Sequence, residues 1–461
     1  MTPKEDTRSS RREFLKAAGG VVAASSLSGA ALPSAHAAGS DMIRVAIVGC
    51  GGRGGGAVMN AMATKGGPIK LVAMADAYED RLRGSYGDLS QHLGAQMDVP
   101  PERRFVGFDA YRKAMDCLKP GDVVILTTPP AFRWVHFGHA IEKRLNVFME
   151  KPVTVDGPTS VRMLKLADQS VASNLKVGVG LMSRHARGLQ ELHDRIRGGE
   201  LGEVVLMRGY RMQGPIGYFA SGPKPSDISD LDYQIRRFHS FLWASGGGYS
   251  DFNIHIIDHL CWMKDAWPVQ AQALGGRHYR VTPEGAPAID QNLDTYSVEY
   301  SFADGSRFFY DGRCMTGTVG IYSSAVHGTK GMAVASRGGD CGGPSAIYRG
   351  DQNADPSKVA WQSTDRSNPY QNEWDELMQA IRADKPYNEA KRGVEASLVT
   401  SMGRMAAHTG QIITYDAMLN CPHEFAPGLD KLTSETPAPL QPGPDGRYPV
   451  PEPGIKPDRE F

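Results

Sequence analysis

Short apolar runs alternate with longer amphipathic runs between residues 42 and 182. The short runs are rich in Val and Ile, which is typical of buried strands, and the longer runs repeat their apolar positions with the period of a helix. Strands and helices that alternate in this way predict a doubly wound parallel sheet with right-handed crossovers. The predicted strands are 43–48, 69–76, 122–126, 146–149 and 176–180, and the predicted helices are a run that ends at residue 63 and the segments 109–118, 135–144 and 160–170.

The pattern changes from about residue 183, where strands become more frequent than helices. Residues 213–241 form a long polar segment, and loops of this length are usually functional or disordered. We expect a second, α+β domain over residues 183–420 and a Pro/Gly-rich tail over 421–461 that is extended or poorly ordered. The predicted strands here are 202–211, 271–274, 293–302, 307–310 and 331–334, and the predicted helices are 189–197, 373–383 and 394–409.

Residues 1–37 have the features of an export signal. Ser10-Arg-Arg-Glu-Phe-Leu-Lys16 is a twin-arginine motif, an Ala/Gly-rich segment follows it, and Ala35-His-Ala37 offers a signal-peptidase site. The alternative is a transmembrane anchor, but the segment is only moderately apolar and contains many Gly and Ser. We predict twin-arginine export to the periplasm without stable membrane insertion. Because such proteins leave the cytoplasm folded, we expect any cofactor to be bound tightly before export.

The composition excludes several classes of protein. Hydrophobic residues make up 41% of the 461 residues and charged residues 22%, which is typical of a globular protein and not of a disordered one. The formal net charge is zero and no long basic run is present, so nucleic acid is not an expected partner. The six cysteines contain no Cys-x-x-Cys pair and predict neither a disulfide framework nor a zinc finger.

A glycine-rich turn follows the first predicted strand directly. Its sequence, Gly49-Cys-Gly51-Gly-Arg-Gly54, has the Gly-x-Gly-x-x-Gly spacing that lets the backbone approach a pyrophosphate at the start of a helix. The second strand ends at Asp76, where a carboxylate would accept hydrogen bonds from ribose hydroxyls. These features predict a dinucleotide site and favour NAD, since a carboxylate repels a 2′-phosphate. Arg53 and Arg81 lie close enough in the sequence to leave NADP open.

A polar face lies on the otherwise apolar helix predicted within residues 245–262. Asp251, His255, Asp258 and His259 fall at i, i+4, i+7 and i+8 and therefore share one face. Ionisable residues in a buried helix are costly unless they are paired or functional. Three glycines at 246–248 precede this face, and we expect them to leave room for a ligand.

The same face has a second interpretation as a metal site. His255 and His259 with an acid between them are similar to an inverted zinc-protease motif. That motif requires Glu, whose longer side chain reaches the water, and this chain has Asp258 instead. We therefore predict no metal. Asp258 is expected to anchor the helix by hydrogen bonding, and His259 to be a packed histidine.

The chain resembles the Gfo/Idh/MocA (glucose–fructose oxidoreductase/inositol dehydrogenase) family over nearly all of the sequence after the signal. The motifs that carry the resemblance are the Gly49–Gly54 turn, Asp76, Thr128-Pro129 with His136, Glu150-Lys151-Pro152, Gly198-Gly-Glu-Leu-Gly-Glu203 and Gly247-Gly-x-x-Asp251-x-x-x-His255-x-x-Asp258. The resemblance implies a second domain built on an open, mainly antiparallel sheet that is used for oligomerisation, and hence a homodimer or homotetramer. It also implies a cis peptide bond before Pro152.

The resemblance further implies roles for individual residues. The lysine of the Glu-Lys-Pro motif and the Asp-x-x-x-His pair form the catalytic group, which is Lys151, Asp251 and His255 in this sequence. The expected cofactor-binding residues are Gly49, Gly51, Gly52, Arg53, Gly54, Asp76, Thr127, Thr128, Pro129, His136, Glu150 and Lys151. The long polar segment is rich in Arg and aromatic residues, which suits a sugar-like ligand, and ordinary loop packing is the alternative interpretation. The expected substrate-binding residues are Arg184, Tyr218, Arg236, Trp243 and His255.

The expected reaction is hydride transfer from a hydroxyl-bearing carbon of a sugar, cyclitol or glycoside to NAD(P). His255 would be the general base, Asp251 would stabilise the histidinium, and Lys151 would stabilise the substrate oxygen. Two alternatives keep the cofactor in a closed cycle: a glycosidase or lyase that oxidises a sugar transiently and eliminates the aglycone, and a sugar–sugar oxidoreductase. A non-catalytic nucleotide-binding protein is a further alternative, which the presence of both Lys151 and His255 disfavours.

Overall fold

The computed structural model describes residues 42–217, 221–279, 281–282 and 284–461, so the predicted signal peptide lies outside the described residues. The strands of the first sheet are β1 Ile43–Val48, β2 Ile69–Asp76, β3 Arg104–Val106, β4 Val123–Leu126, β5 Asn146–Met149 and β6 Val177–Val179. They are all parallel and run in the order β3-β2-β1-β4-β5-β6. This is the strand order of a dinucleotide-binding sheet, in which ligands bind at the carboxyl ends of the strands.

The second sheet has nine strands in the order β14-β13-β12-β11-β7-β10-β9-β8-β15. Only the β7–β10 pair is parallel in this sheet. The predicted fold class, a parallel doubly wound sheet followed by an open, mainly antiparallel one, is therefore confirmed. The strands are β7 Val204–Gln213, β8 Gln270–Gly276, β9 Thr295–Ser301, β10 Arg307–Cys314, β11 Ile321–Gly328, β12 Gly331–Ser336, β13 Ala346–Arg349, β14 Val359–Gln362 and β15 Ile413–Thr414.

Helices cover both faces of the first sheet and one face of the second. They are α1 Gly52–Ala63, α2 Glu79–Leu93, α3 Ala110–Asp116, α4 Arg133–Glu142, α5 Gly157–Ala172, α6 Arg187–Arg197, α7 Asp230–Arg236, α8 Leu242–Ser245, α9 Gly247–Met263, α10 Pro369–Arg382, α11 Ala390–Thr409 and α12 Tyr415–Leu419. None of the helices in the described ranges is long and apolar enough to cross a membrane.

Alternate side chains of the first sheet enter two separate cores. In β1, Ile43, Val45 and Ile47 belong to a core covered by α1, α2 and α10, whereas Ala46 and Val48 belong to a core covered by α3, α4, α5 and α11. This division follows from the alternation of side chains along a strand. Because α10 and α11 come from residues 369–409, the chain returns to the first sheet after building the second. The domain boundary at residue 182 stays a prediction.

Several elements were not predicted, among them the strands β3, β11, β13, β14 and β15 and the helices α2 and α7. Helix α2 has no counterpart among the predicted helices, because only Leu82, Leu89 and Leu93 of it are buried and its apolar repeat is weak. The polar segment 213–241 contains a helix, α7, capped by Ser229, whose hydroxyl accepts a hydrogen bond from the backbone of Asp232.

Candidate active site

Two glycines of the turn between β1 and α1 are required by the local backbone. Gly49 has a φ of +101°, and a Cβ on it would lie 2.6 Å from the backbone nitrogen of Thr128. A Cβ on Gly54 would lie 2.3 Å from the carbonyl oxygen of Gly49. A Cβ on Gly52, in contrast, would have no neighbour within 4 Å. The start of α1 therefore faces free volume, where backbone N–H groups can receive a pyrophosphate.

Asp76, the last residue of β2, lies beside this turn. One carboxylate oxygen accepts a hydrogen bond from the backbone N–H of Cys50 (2.7 Å) and the other from that of Tyr78 (2.9 Å). Burial raises the pKa of Asp76, and these hydrogen bonds and the charge of Arg81 oppose the rise. The carboxylate is thus fixed at the carboxyl end of the strand, at the place where a ribose would lie.

The exit of β4 is fixed by a buried arginine. The guanidinium of Arg133 donates to the carbonyl oxygens of Leu126 (2.7 Å) and Thr128 (2.9 Å). The hydroxyl of Thr128 lies 3.2 Å from Nδ1 of His136. Burial lowers the pKa of His136 to about 3, so this ring is neutral at physiological pH and can form hydrogen bonds within the site without carrying charge.

The Glu150-Lys151 pair after β5 connects the glycine turn to α9. Glu150 accepts a hydrogen bond from Nε of Arg53 at 2.9 Å, so this arginine is paired with a carboxylate other than Asp76. The Lys151–Pro152 peptide bond is cis, as predicted. Nζ of Lys151 donates to the backbone oxygen of Asp251 at 2.5 Å and lies 3.4 Å from the Oδ1 atom of the same residue.

Gly246, which precedes α9, and Gly247, its first residue, serve packing, and neither lines the cavity described below, which corrects our expectation that they leave room for a ligand. Gly246 and Gly247 have φ values of +74° and +75°. A Cβ on Gly246 would lie 2.6 Å from the guanidinium of Arg404, and one on Gly247 would lie 2.7 Å from the side-chain oxygen of Asn292. The glycines allow a tight entry into a helix that is buried along almost its whole length.

Asp251 is paired with Lys151 and with His239, whose Nε2 lies 2.8 Å from Oδ2 of Asp251. Burial alone would raise the pKa of Asp251, but Lys151 and His239 outweigh it and hold the pKa well below its usual range. The predicted pairing of Asp251 with His255 is not what the structure gives. The carboxylate instead bridges a cation from β5 and an imidazole from the segment before α8.

His255 lies one helical turn beyond Asp251 and is buried. Burial lowers its pKa to about 4, and the nearby carboxylate of Asp340 partly opposes this. Its Nδ1 has no hydrogen-bond partner among the described residues. Asp340 is itself held by the hydroxyl of Tyr322 and lies 3.8 Å from the guanidinium of Arg211. His255 is therefore neutral at physiological pH and can act as a base toward a ligand in the cavity that it lines.

A cavity of about 560 Å³ brings these groups together. This size is within the range of small-molecule and cofactor sites. All of the predicted cofactor-binding and catalytic residues line it, from the glycine turn and Asp76 to Lys151, Asp251 and His255. The glycine turn, the ribose carboxylate position and the volume all fit a dinucleotide. No group of three His, Cys, Asp or Glu side chains in the described part of the chain could hold a metal ion.

Three of the predicted substrate-binding residues lie outside this cavity because other groups already bind their side chains. Arg184 is buried and makes two hydrogen bonds of 2.8 Å with Asp258. Trp243 is fully buried and donates to Gln234 at 2.7 Å. Arg236 makes two hydrogen bonds of 2.9 Å with Asp80. The fourth, Tyr218, lies outside the described residues, and His255 is in the cavity.

Several lining residues were missed by the analysis of the sequence. Arg211, His239, Phe252, Asp340 and Tyr370 all line the cavity near Lys151 and His255. His239 belongs to the long polar segment, whose length was a signal of function. Asp340 follows two glycines in the connection from β12 to β13, and no pattern in the sequence linked it to the site.

Comparison with known proteins agrees with this geometry. The family model GFO_IDH_MocA, described as an oxidoreductase family with an NAD-binding Rossmann fold, matches residues 43–180. The inositol 2-dehydrogenase of Corynebacterium glutamicum is 25% identical over 210 residues, which are 45% of this chain and 55% of that protein. The rhizopine catabolism protein MocA of Rhizobium meliloti is 22% identical over 205 residues, or 43% and 55% of the two chains. The chain thus spans about half the length of the curated relatives it matches.

Solved structures extend the similarity in fold to both sheets. The aldose–aldose oxidoreductase from Caulobacter crescentus superposes with a TM-score of 0.61 at 16% identity, over 81% of this chain and 100% of that one. A levoglucosan dehydrogenase in complex with NADH and levoglucosan gives a TM-score of 0.60 at 15% identity, over 81% and 100%. Residues 43–180 thus match the Gfo/Idh/MocA oxidoreductase family model, and the solved structures share the fold of the chain over both sheets.

Proposed function

We propose that the protein is an exported NAD-dependent oxidoreductase that takes a hydride from a hydroxyl-bearing carbon of a sugar, cyclitol or glycoside. The observation that carries the proposal is the convergence of Lys151, Asp251 and His255 with the glycine turn and Asp76 on one cavity. The similarity to inositol and levoglucosan dehydrogenases supports a polyhydroxylated substrate.

The residues of the chain divide between cofactor and substrate. The Gly49–Gly54 turn would hold the pyrophosphate and Asp76 the adenosine ribose. When bound, the nicotinamide ring supplies the hydride acceptor. The cavity residues that remain for a substrate are His255 on α9, Arg211 on β7 and Asp340 in the connection from β12 to β13.

The chemistry of the substrate oxygen falls to His255 and Lys151. His255 is neutral near pH 7 and takes the hydroxyl proton. The ammonium of Lys151 donates to the same oxygen and stabilises negative charge as the carbon–hydrogen bond breaks. Asp251 orients that ammonium through its backbone oxygen and its carboxylate, and His239 holds the carboxylate from the other side.

We further propose that the nucleotide stays bound through a closed redox cycle. The twin-arginine motif supports this, because free nucleotide is scarce outside the cytoplasm. Two reactions close the cycle: reduction of a second sugar, which agrees with the fold similarity to an aldose–aldose oxidoreductase, and transient oxidation followed by elimination, addition of water and reduction.

Purification without added nucleotide tests the closed cycle. NAD(H) that stays with the protein through dialysis supports it, and an empty site with millimolar affinity for NAD contradicts it. Incubation with glycosides in deuterated water then separates the two reactions. Oxidation with elimination introduces deuterium at the carbon beside the oxidised one, whereas sugar–sugar transfer leaves that carbon unlabelled.

Asp76→Ser is expected to weaken NAD binding by about tenfold to a hundredfold. The ribose would lose a charge-assisted hydrogen bond to the carboxylate, and one such bond contributes about 1.5–3 kcal/mol. The Kd of NAD and the Kd of NADP are measured for the apoprotein. The ratio of the NADP value to the NAD value should be smaller than in the wild type. Asp88→Ser, on the exposed side of α2, is the control and should bind NAD like the wild type. An unchanged Kd for Asp76→Ser would contradict the ribose contact.

His239→Asn is expected to lower kcat by about tenfold and leave the Kd of NAD unchanged. The reason is that Asp251 would lose one of its two partners, and a charge-assisted hydrogen bond is worth roughly one factor of ten in rate. Steady-state kinetics and a nucleotide titration measure the two quantities. His278→Asn, at an exposed position, should keep the wild-type kcat. If His239→Asn keeps the wild-type kcat, His239 does not contribute to the reaction through Asp251.

We also propose that the protein forms a homodimer or homotetramer through the outer face of the second sheet. Leu274 and Ile321 are exposed there, and Tyr210, Met212 and Phe309 are only partly buried. Apolar residues on an open sheet face are typical of an interface. Light scattering on the eluting protein measures the mass, and Leu274→Asp should shift it toward the monomer.

A further inference from the structure

We infer that the tail, residues 421–461, forms part of the nucleotide site, and that its detachment sets the rate at which NAD leaves. The inference rests on the proposed nucleotide-binding function and goes beyond it. The tail contains one short helical turn, Leu429–Lys431. Leu429, Asp430 and Leu432 line the same cavity as the glycine turn and Asp76. A segment more than 350 residues distant from that turn in the chain therefore closes the cavity on one side.

The tail lies at the adenosine end of the cavity. A shallower pocket continues from that end, and it is lined by Leu432, Thr433 and Ser434 of the tail. The residues that follow β2 and β3 line both the cavity and this pocket: Ala77, Tyr78, Gly107 and Phe108. Because Ala77 directly follows Asp76, the tail passes beside the place of the adenosine ribose. A nucleotide bound there would have to pass the tail to leave on this side.

The tail is fastened on both sides of the helical turn. It packs into a core with Ala131, Phe132, Leu231 and Trp243 through its buried side chains Phe425, Leu429, Leu440 and Tyr448. Its backbone is bound at positions before and after the turn. These hydrogen bonds run from Phe425 N–H to Asp156 Oδ2 (2.9 Å), from Gln234 Nε2 to the Leu440 oxygen (2.7 Å) and from Gln291 Nε2 to the Pro449 oxygen (2.8 Å).

The far end of the tail is locked by a buried ion pair. Glu460 accepts two hydrogen bonds of 2.8 Å from the guanidinium of Arg404 and lies 2.7 Å from Nδ1 of His408. All three side chains are almost completely buried. Burial favours the neutral acid, but Arg404 and His408 lower the pKa of Glu460 to about 2. Withdrawal of Glu460 would leave Arg404 buried without its carboxylate, which is strongly unfavourable. The pair therefore acts as a latch for the tail.

Release of NAD from the holoenzyme tests the inference at both ends of the tail. The first variant, Glu460→Gln, removes the charge that pairs with Arg404, at a position far from the cavity. The second, Leu429→Ser, removes an apolar side chain that lines the cavity and leaves the Glu460–Arg404 pair intact. We expect at least tenfold faster release of NAD from each, measured by dilution into a nucleotide-trapping enzyme. The control is Glu452→Gln in the same tail, which loses only a surface pair with Lys456 and should release NAD at the wild-type rate.

Hydrogen exchange gives a second readout that does not depend on slow release. Residues 429–434 should be more protected in the presence of NAD than in the apoprotein. The inference is overturned if either folded variant releases NAD at the wild-type rate, or if NAD leaves exchange at 429–434 unchanged. Fast release from the wild type together with protection of 429–434 would instead contradict the closed redox cycle and keep the contact with the tail.

Discussion

Lys151→Met should lower kcat/KM by about a hundredfold to a thousandfold on the substrate that the wild type oxidises. This is the loss that follows removal of one preorganised donor to a developing oxyanion. Met has nearly the length of Lys but neither donates nor carries charge. The substrate oxygen would lose its cation, and Asp251 would keep only His239 as a partner. Single-turnover reduction of bound NAD measures the chemical step directly.

Binding of NAD separates this prediction from misfolding. Lys151 is also an expected cofactor-binding residue, but the pyrophosphate and the adenosine ribose would be held by the glycine turn and Asp76. The Kd of NAD for Lys151→Met should therefore rise by no more than about tenfold, the value of one hydrogen bond. Lys165→Met, an exposed lysine on α5, is the matched control and should keep full activity. A folded Lys151→Met protein that binds NAD and retains more than about a tenth of wild-type turnover would show that the substrate oxygen is stabilised by another group.

The cofactor half of the site was predictable because its residues are local to strands. The glycine turn, Asp76, Thr127–Pro129 and Glu150-Lys151 each follow a strand of a parallel sheet directly. The carboxyl ends of such strands share one edge, so residues far apart in sequence meet there. Asp251 and His255 were predictable for a similar reason, since an i, i+4 spacing fixes their common face once the helix is identified.

The substrate half was not predictable because the same side chains serve in cores and in sites. Arg184 looked like a ligand for a sugar, but Asp258, 74 positions away in the chain, binds it completely. Trp243 was also expected to bind the substrate, but it is fully buried in a core. Asp340 and Arg211 enter the site only because β7 and the β12–β13 connection lie side by side near α9. Such contacts depend on tertiary packing, which cannot be predicted from the periodicity of hydrophobic residues along the chain.

His255→Gln should lower kcat/KM by about a hundredfold to ten-thousandfold, the usual contribution of a general base. The pH profile carries the sharper test. Burial lowers the pKa of His255 to about 4, so the ring is neutral above that pH and becomes protonated below it. The wild-type kcat/KM should therefore be level down to about pH 5 and fall as the pH drops through 4. An unperturbed histidine would give this decline near 6.5.

The variant and a neighbouring histidine identify the group responsible for that decline. His255→Gln has no titrating base, so its residual rate should show no inflection near pH 4. Titration of Asp251 cannot cause an inflection near pH 4, because Lys151 and His239 hold the pKa of Asp251 well below that pH. His259 is the informative control, since burial also lowers its pKa to about 4 although it lies outside the cavity, bound to Ser324 at 2.8 Å. If His259→Gln loses the inflection and His255→Gln keeps it, the decline reports acid damage to the core of α9, and the assignment of His255 as the base is wrong.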